Sequence, residues 1–581
     1  MRRRSALYGL ALGGGLLVFG GCKDSDLAVT NPNAGDTKRV LATPNDAENL
    51  IGTYFKRWNV AFYGGGTIGQ APPTTFEGMA NVMSLMNFSS LANNCQNIRT
   101  PFTGAANVNT PGNPCAGEQY NSYAVLGEVQ RVASNFLGVV DDFSTFTPAQ
   151  IARDKAFAEF LRGMSLGYLA LFYDSAAVVT KGMDPLDKGA LSGYKAVMDS
   201  ALAALQRSID NTNASAAAPG GFNIPGAWVP SPTVWNSTEF IKMVRSYRAR
   251  FRANVARTPA ERAAADWTAI IADAQGGFTG DHLLSLDATN GPFAGWRRQY
   301  DPGGSSWHQM PPFVIGMGDV SGNYEAWLAT PLAARGAGNV GYFMVTPDLR
   351  FPQGTTRAAQ QADFKVQDCE VNGGQITGAG IAASCKRYFA NRTLADQYTG
   401  AGWGWSNYDF IRFHWFFSKG AAGTPRNGDL TFFTKAELDM LQAEGMIRKG
   451  QFALAAPLIN ITRVKNGLPA ITVFDGTTPV PGGANCVPRV PVGPSFTGTA
   501  CGNMLEAMKW EKRMETAYVH AASWFLDSRG WGDLPEGTAL FWPVPYQELQ
   551  VRGFSLDKIY GAGPGVGNAE ASVAAKSTYG W

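Results

Sequence analysis

The sequence predicts a mainly α-helical protein, a scaffold of helical pairs interrupted by large irregular loop insertions. Apolar residues recur at three- and four-residue spacing in several long segments, the period of a helix that buries one face. Between those segments lie stretches rich in Gly, Pro, Asn and Thr, where regular helix is unfavourable. Six of the seven cysteines fall as three local pairs inside such stretches.

The chain begins with Arg2, Arg3 and Arg4, then an uncharged run from Ser5 to Gly21 that is rich in glycine. A spanning helix needs roughly 20 predominantly apolar residues. This run is shorter and follows a cationic start, so it reads as a secretory signal. It ends on Val18-Phe19-Gly20-Gly21-Cys22, which resembles a bacterial lipobox, where cleavage before the cysteine leaves it acylated. Residues 1–21 are thus expected to be removed and Cys22 to carry the lipid, with 22–43 as a tether and 44–581 as one ligand-binding domain. Two or three acyl chains hold a protein stably to a membrane. Lys23, Asp24, Ser25 and Asp26 resemble the surface-export signal that follows the lipidated cysteine of some outer-membrane lipoproteins, which places the domain on the outer face.

Thr43-Pro44-Asn45-Asp46 marks a helix start, and Ala47, Leu50, Ile51, Tyr54 and Trp58 continue it at helical spacing up to Gly64-Gly65-Gly66. Residues 67–117 form the first irregular insertion. Helices resume over 119–142 and 148–173, the second with an apolar face of Ile151, Ala156, Phe160, Met164, Leu166 and Leu169. Two more are predicted near 190–209 and 239–255. A second irregular stretch spans 276–427 and is dense in aromatic residues. From Lys435 to Arg463, Ala443, Met446, Phe452, Ala455 and Ile459 predict two closely packed helices with Gly450 at the turn, a unit resembling a tetratricopeptide repeat. After a third insertion at 479–502, residues 504–529 read as one long final helix.

An exported chain folds in an oxidising setting, so the natural pairings are Cys95 with Cys115, Cys369 with Cys385, and Cys486 with Cys501. Zinc is the competing use, but no Cys-x-x-Cys exists and His282, His308, His414 and His520 are scattered; no metal or other cofactor is expected. A net charge of +3 from 49 basic and 46 acidic residues gives no basic stripe for nucleic acid.

Enzyme motifs fail on context. Gly163-Met164-Ser165-Leu166-Gly167 fits the Gly-x-Ser-x-Gly of serine hydrolases, which needs a strand-to-helix elbow, yet apolar residues run through it at helical spacing. Gly336, Gly338 and Gly341 form Gly-x-Gly-x-x-Gly, but Tyr342-Phe343-Met344-Val345 after it reads as strand, whereas a phosphate site needs a helix N-terminus there. No P-loop lysine motif and no His-Glu-x-x-His are present. The chain is therefore expected not to be an enzyme; a lipid-anchored glycoside hydrolase, whose paired carboxylates have no fixed spacing, is the alternative.

Four places together resemble the SusD/RagB family of outer-membrane nutrient-uptake lipoproteins: Asp26-Leu27-Ala28-Val29-Thr30-Asn31-Pro32-Asn33 behind the anchor; Ala443-Glu444-Gly445 through Ala455, Ile459 and Asn466-Gly467-Leu468-Pro469; Glu511-Lys512-Arg513-Met514-Glu515 with Trp524-Phe525-Leu526-Asp527 and Arg529; and Phe541-Trp542-Pro543-Val544-Pro545 with Glu548-Leu549. The resemblance implies a tetratricopeptide-like scaffold, surface exposure, and a SusC-like TonB-dependent barrel as the partner to which a glycan or peptide is delivered. Glu511, Arg513 and Glu515 are expected to serve folding, by making local pairs or by capping nearby backbone.

A sugar presents flat apolar faces ringed by hydroxyls, so its site wants aromatic platforms beside polar groups. Trp296, Arg297, Tyr300, Trp307, Tyr324 and Trp327 form the leading candidate cluster, and Trp403, Trp405, Asn407, Tyr408 and Trp415 the second, both within the middle insertion.

Overall fold

The computed structural model describes residues 40–63, 76–86, 88–89, 109–113, 116–184, 186–286, 308–331, 334–335, 342–363, 387–391, 406–412, 428–519, 522–554 and 573–581. Cys22 and the cysteine pairs 95/115 and 369/385 lie outside these residues, so the expectations placed on them are carried by sequence.

In chain order the main elements are helices α1 (Pro44–Tyr63), α2 (Phe76–Met83), α3 (Ala116–Val139) and α4 (Pro148–Phe172). A short antiparallel pair, β1 (Ser175–Ala177) and β2 (Leu191–Gly193), leads into α5 (Tyr194–Ala217) and α6 (Ser237–Asn254). Then come α7 (Pro259–Ala263), α8 (Trp267–Gln275) and β3 (His282–Leu286). The middle region supplies α9 (Pro312–Ile315), α10 (Asn323–Ala329), α11 (Arg357–Asp363), β4 (Phe389–Asn391) and β5 (Tyr408–Phe410). β6 (Gly428–Phe433) pairs antiparallel with β3 and runs into α12 (Lys435–Arg448) and α13 (Phe452–Lys465). The hairpin β7 (Arg489–Val492) and β8 (Gly498–Cys501), then α14 (Met504–Thr516), α15 (Ser523–Trp531) and α16 (Tyr546–Val551), complete the chain. The protein is mainly helical, as predicted.

α4 is the central element. Thr147 and Gln150 close a reciprocal capping box at its start, and every residue from Ala156 to Phe172 is buried, against α3, α5 and α6. A helix buried on all sides must let its neighbours approach closely. Gly163 and Gly167 do this: a Cβ at Gly167 would overlap the Phe251 ring of α6, and one at Gly163 the Leu205 side chain of α5. The Gly-x-Ser-x-Gly pattern is thus a packing device, with Ser165 fully buried inside the helix. We expect Gly167→Ala to cost about 1–3 kcal/mol through overpacking; a melting temperature equal to that of the wild type would contradict this contact.

The helical pair α12/α13 forms where the small-residue spacing predicts it. Gly450 turns the chain with φ at +71°, a conformation only glycine adopts freely, and Ala443, Ala455 and Ile459 are fully buried in the seam. Cys486 and Cys501 are disulfide-bonded across 15 residues. That link beside the β7–β8 hairpin contributes about 3 kcal/mol in the chain-entropy picture.

Two expectations are corrected. The helix predicted over 190–209 begins at Tyr194, because Leu191–Gly193 pairs as strand, and it runs on to Ala217 as buried Ser208, Thr212 and Ser215 donate to the backbone carbonyls of Ala156, Ser208 and Ala149. The predicted single helix over 504–529 is two, α14 and α15. The chain turns between them with Tyr518 and Ala522 at positive φ, and the Trp524 indole N–H then folds back onto the Arg513 carbonyl at 2.6 Å.

Glu511, Arg513 and Glu515 are buried and pair with residues outside their own helix, which corrects the expectation of local pairs or backbone caps, and Glu437, Glu444 and Asp527 are likewise paired across the molecule. Arg250 on α6 donates two parallel bonds to Glu437, at 2.8 and 2.7 Å. Arg262 donates to Glu444 at 3.0 and 2.5 Å and to Asp527 at 3.2 Å, while Lys512 donates to Asp527 at 2.7 Å. Arg350 binds Asp348, Glu511 and Glu515, and Arg513 binds Asp533. Arg529 donates to the carbonyls of Leu171, Asn254 and Leu540, closing the C-terminal ends of α4 and α6. Those last carbonyls lack helical partners, so a buried guanidinium satisfies them and meets the negative end of the helix dipole.

Candidate functional site

The middle region folds around a few tight constraints. Gly316 leaves room for the Tyr324 ring, which a Cβ there would overlap. Asp319 clamps two strands of the loop: one oxygen accepts from the Val345 N–H at 2.9 Å and the Ser321 hydroxyl at 2.7 Å, the other from the Tyr324 N–H at 3.0 Å. Gly322, at φ +86°, opens α10, and the Tyr324 hydroxyl donates to the Phe313 carbonyl at 2.5 Å.

These constraints assemble an aromatic array. Phe313 meets Trp327 edge-on at 4.8 Å, and Tyr324 stacks on Trp327 at 5.9 Å. Tyr342 lies 6.3 Å from Trp327, 6.4 Å from Tyr324 and 6.4 Å from Tyr408. Trp581 packs on Phe313 at 5.2 Å. The two candidate clusters, distant in sequence, therefore meet here: Tyr324 and Trp327 of the first join Tyr408 of the second through Tyr342. All four rings are buried, as is Asn407. They form the inner wall of the region, and none stands out as a free platform. Trp296, Arg297, Tyr300, Trp307, Trp403, Trp405 and Trp415 lie outside the described residues.

Polar capacity on the array is unevenly used. The Tyr408 hydroxyl donates to Gln360 Oε1 at 2.6 Å and accepts from the Met344 N–H at 3.2 Å. Trp327 Nε1 and the Tyr342 hydroxyl are buried with no hydrogen-bond partner among the described residues. Burial, followed by the nearby Asp319 carboxylate, pushes the Tyr342 phenol well above its ordinary range, so it stays protonated. Arg335 lies across Trp327 at 4.2 Å and 5.6 Å from Phe313. Its Nε and Nη2 donate to the carbonyls of Thr330 and Leu328 at 2.8 and 2.9 Å. Burial lowers its pKa, yet a guanidinium remains charged.

Sequence reasoning missed Phe313, Tyr342 and Arg335 as members of this array. The signals available were slight: an aromatic after a glycine run, and an arginine in a loop. Among the described residues no cluster of three or more His, Cys, Asp or Glu could hold a metal, and no helix is long and apolar enough to cross a membrane. A separate cleft of about 400 Å³ lies between α5, the end of α6 and α7, but Lys195 and Arg252 on its rim are already paired with Glu261 and Asp273.

Fold and array together define a mainly helical protein with an aromatic, donor-rich middle region. No family model and no curated protein matches the sequence. Solved structures to which the chain is similar are SusD superfamily proteins. One from Bacteroides vulgatus shares 11% identity over 89% of this chain and 97% of its own, with a TM-score of 0.48. One from Bacteroides thetaiotaomicron shares 13% over 87% and 96%, with a TM-score of 0.49. A laminarin-binding SusD-like protein shares 12% over 89% and 94%, with a TM-score of 0.41.

Proposed function

We propose that this chain is a SusD/RagB-type lipoprotein of the outer membrane, anchored through Cys22, that binds a glycan on its exterior side and passes it unchanged to a SusC-like TonB-dependent transporter. The observation that carries the binding step is the concentration of Trp and Tyr beside polar side chains in the middle insertion, since rings next to polar groups suit a sugar, with the buried array of Tyr324, Trp327, Tyr342 and Tyr408 as its inner wall. The anchor rests on the cationic start and the uncharged run ending at Cys22. Residues 1–21 act as the signal, 22–43 as the tether and 44–581 as the binding domain.

Cys22→Ala is expected to release the protein from membranes or leave it unprocessed, because the acyl chains supply the attachment. Fractionation and mass spectrometry check this, and wild-type protein found soluble and without lipid would end the anchor reading.

For the ligand, Trp296, Tyr300 and Trp307 remain the leading platforms. Truncating a true platform to Ala should cost roughly 2 kcal/mol or more, about thirtyfold in affinity. Calorimetry with a panel of oligosaccharides on Trp296→Ala and Trp307→Ala tests it, after circular dichroism shows the helices intact. Unchanged affinity in both moves the site toward Trp403, Trp405 and Trp415. Release of reducing sugar by the purified chain would instead make it a glycoside hydrolase.

A further inference from the structure

Among the described residues, Trp327, Tyr342 and Arg335 carry hydrogen-bond capacity on the aromatic array that the protein leaves unused. Trp327 is nine-tenths buried, its indole N–H unpartnered. Tyr342 is 6% exposed, its hydroxyl likewise unpartnered, and its ring lies 6.3 Å from the indole. Leaving such a group unbonded in the interior is costly, and a ligand oxygen that accepts from it recovers that cost. Arg335 covers the same indole, and two of its three nitrogens are spent on carbonyls at the end of α10.

The charge of Arg335 is the deciding feature. It is half-buried across the Trp327 ring, and among the described residues no carboxylate forms an ion pair with it. The Asp319 carboxylate close to the array already accepts three hydrogen bonds from the loop it clamps. The array thus offers N–H and O–H donors and a cation that no carboxylate among the described residues pairs with. A neutral sugar hydroxyl would bring a donor of its own to this place, whereas an anionic oxygen only accepts and also offsets the cation.

We propose that Trp327, Tyr342 and Arg335 form a subsite for the anionic oxygens of an acidic saccharide, a uronate carboxylate or a sugar sulfate. This rests on the reading of the chain as a glycan-binding protein and adds the charge of the ligand to it.

Calorimetry on the full mature chain, with tetragalacturonate, a sulfated carrageenan tetrasaccharide and neutral maltotetraose as probes, tests the proposal. At least one anionic probe should bind tenfold or more tighter than the neutral one, with affinity falling as salt is added. Which of the two binds separates carboxylate from sulfate. Arg335→Gln should remove most of that preference, a loss of roughly ten- to a hundredfold in affinity for the anionic probe from a charged hydrogen bond. Trp327→Phe and Tyr342→Phe keep the rings and delete only the unpartnered groups. They should weaken the anionic probe several-fold while the melting temperature holds or rises, an outcome that a purely structural role would not give. Equal binding of neutral and anionic probes, or a preference that survives Arg335→Gln, overturns the subsite and leaves the glycan reading standing. Failure of all three probes and of a wider neutral panel removes the glycan reading, and the subsite with it.

Discussion

Arg350→Ala is expected to be among the most damaging single substitutions in this protein. The guanidinium donates to Asp348 at 2.9 and 2.7 Å and to Glu511 at 2.9 and 3.2 Å, and it reaches Glu515 at 3.3 Å. Arg350, Asp348 and Glu511 are almost completely buried. Glu515 also contacts Arg412 and accepts from the Tyr388 hydroxyl at 3.1 Å, so one network ties the middle region to α14. Removing the cation leaves two or three carboxylates in the interior with too little compensation, and breaking a buried pair in this way costs about 3–5 kcal/mol. The variant should melt well below the wild type or accumulate unfolded. Adding Asp348→Asn and Glu511→Gln, which removes the stranded charges, should recover part of the loss. A wild-type melting curve for Arg350→Ala would show that the network contributes nothing to holding the middle region.

Glu444 gives the second large effect and sets an acid limit. Burial by itself would raise its pKa, but Arg262, which donates to both its oxygens, and Arg448 more than offset this and hold it at about 2. The Trp531 indole N–H donates to it as well, at 2.9 Å. Because the folded value lies below the unfolded value of about 4.5, the folded state binds this proton less readily than the unfolded chain. The stabilisation is therefore fully present above pH 4.5 and is lost as pH falls toward 2. A shift of this size corresponds to about 3 kcal/mol. Glu444→Gln removes the anion at every pH and leaves Arg262 with Asp527, which Lys512 shares, as its one carboxylate partner among the described residues. The variant should be less stable than the wild type by roughly 3–5 kcal/mol at pH 7, with a gap that narrows below pH 4.5. A gap independent of pH would assign the loss to packing and not to charge.

The sequence by itself determined the helices whose apolar residues repeat at helical spacing. α1 keeps Ala47, Ile51 and Trp58 inside, α4 runs from Pro148 behind its Thr147 cap, and α12 and α13 turn at Gly450. It also determined the pairing of Cys486 with Cys501 and the helical, non-elbow setting of Ser165. These features are local: a period, a cap, a left-handed glycine or a short loop is written within a few residues of where it acts.

Only the tertiary structure decided the rest. Periodicity carried the last helix through Ala517–Ala522, but the chain breaks there to bring Trp524 onto the Arg513 carbonyl. Glu511 finds its partner at Arg350, 161 residues away, so helical spacing along α14 could not reveal it. The same holds for the site. Tyr324, Trp327 and Tyr408 look alike in sequence to exposed platforms, because an aromatic side chain suits a core and a ligand surface equally well. Which of the two it becomes depends on what the fold lays against it. Here packing around Gly316 and Asp319 turns those rings inward, joins Tyr324 and Trp327 to Tyr408 through Tyr342, and sets Arg335 over Trp327.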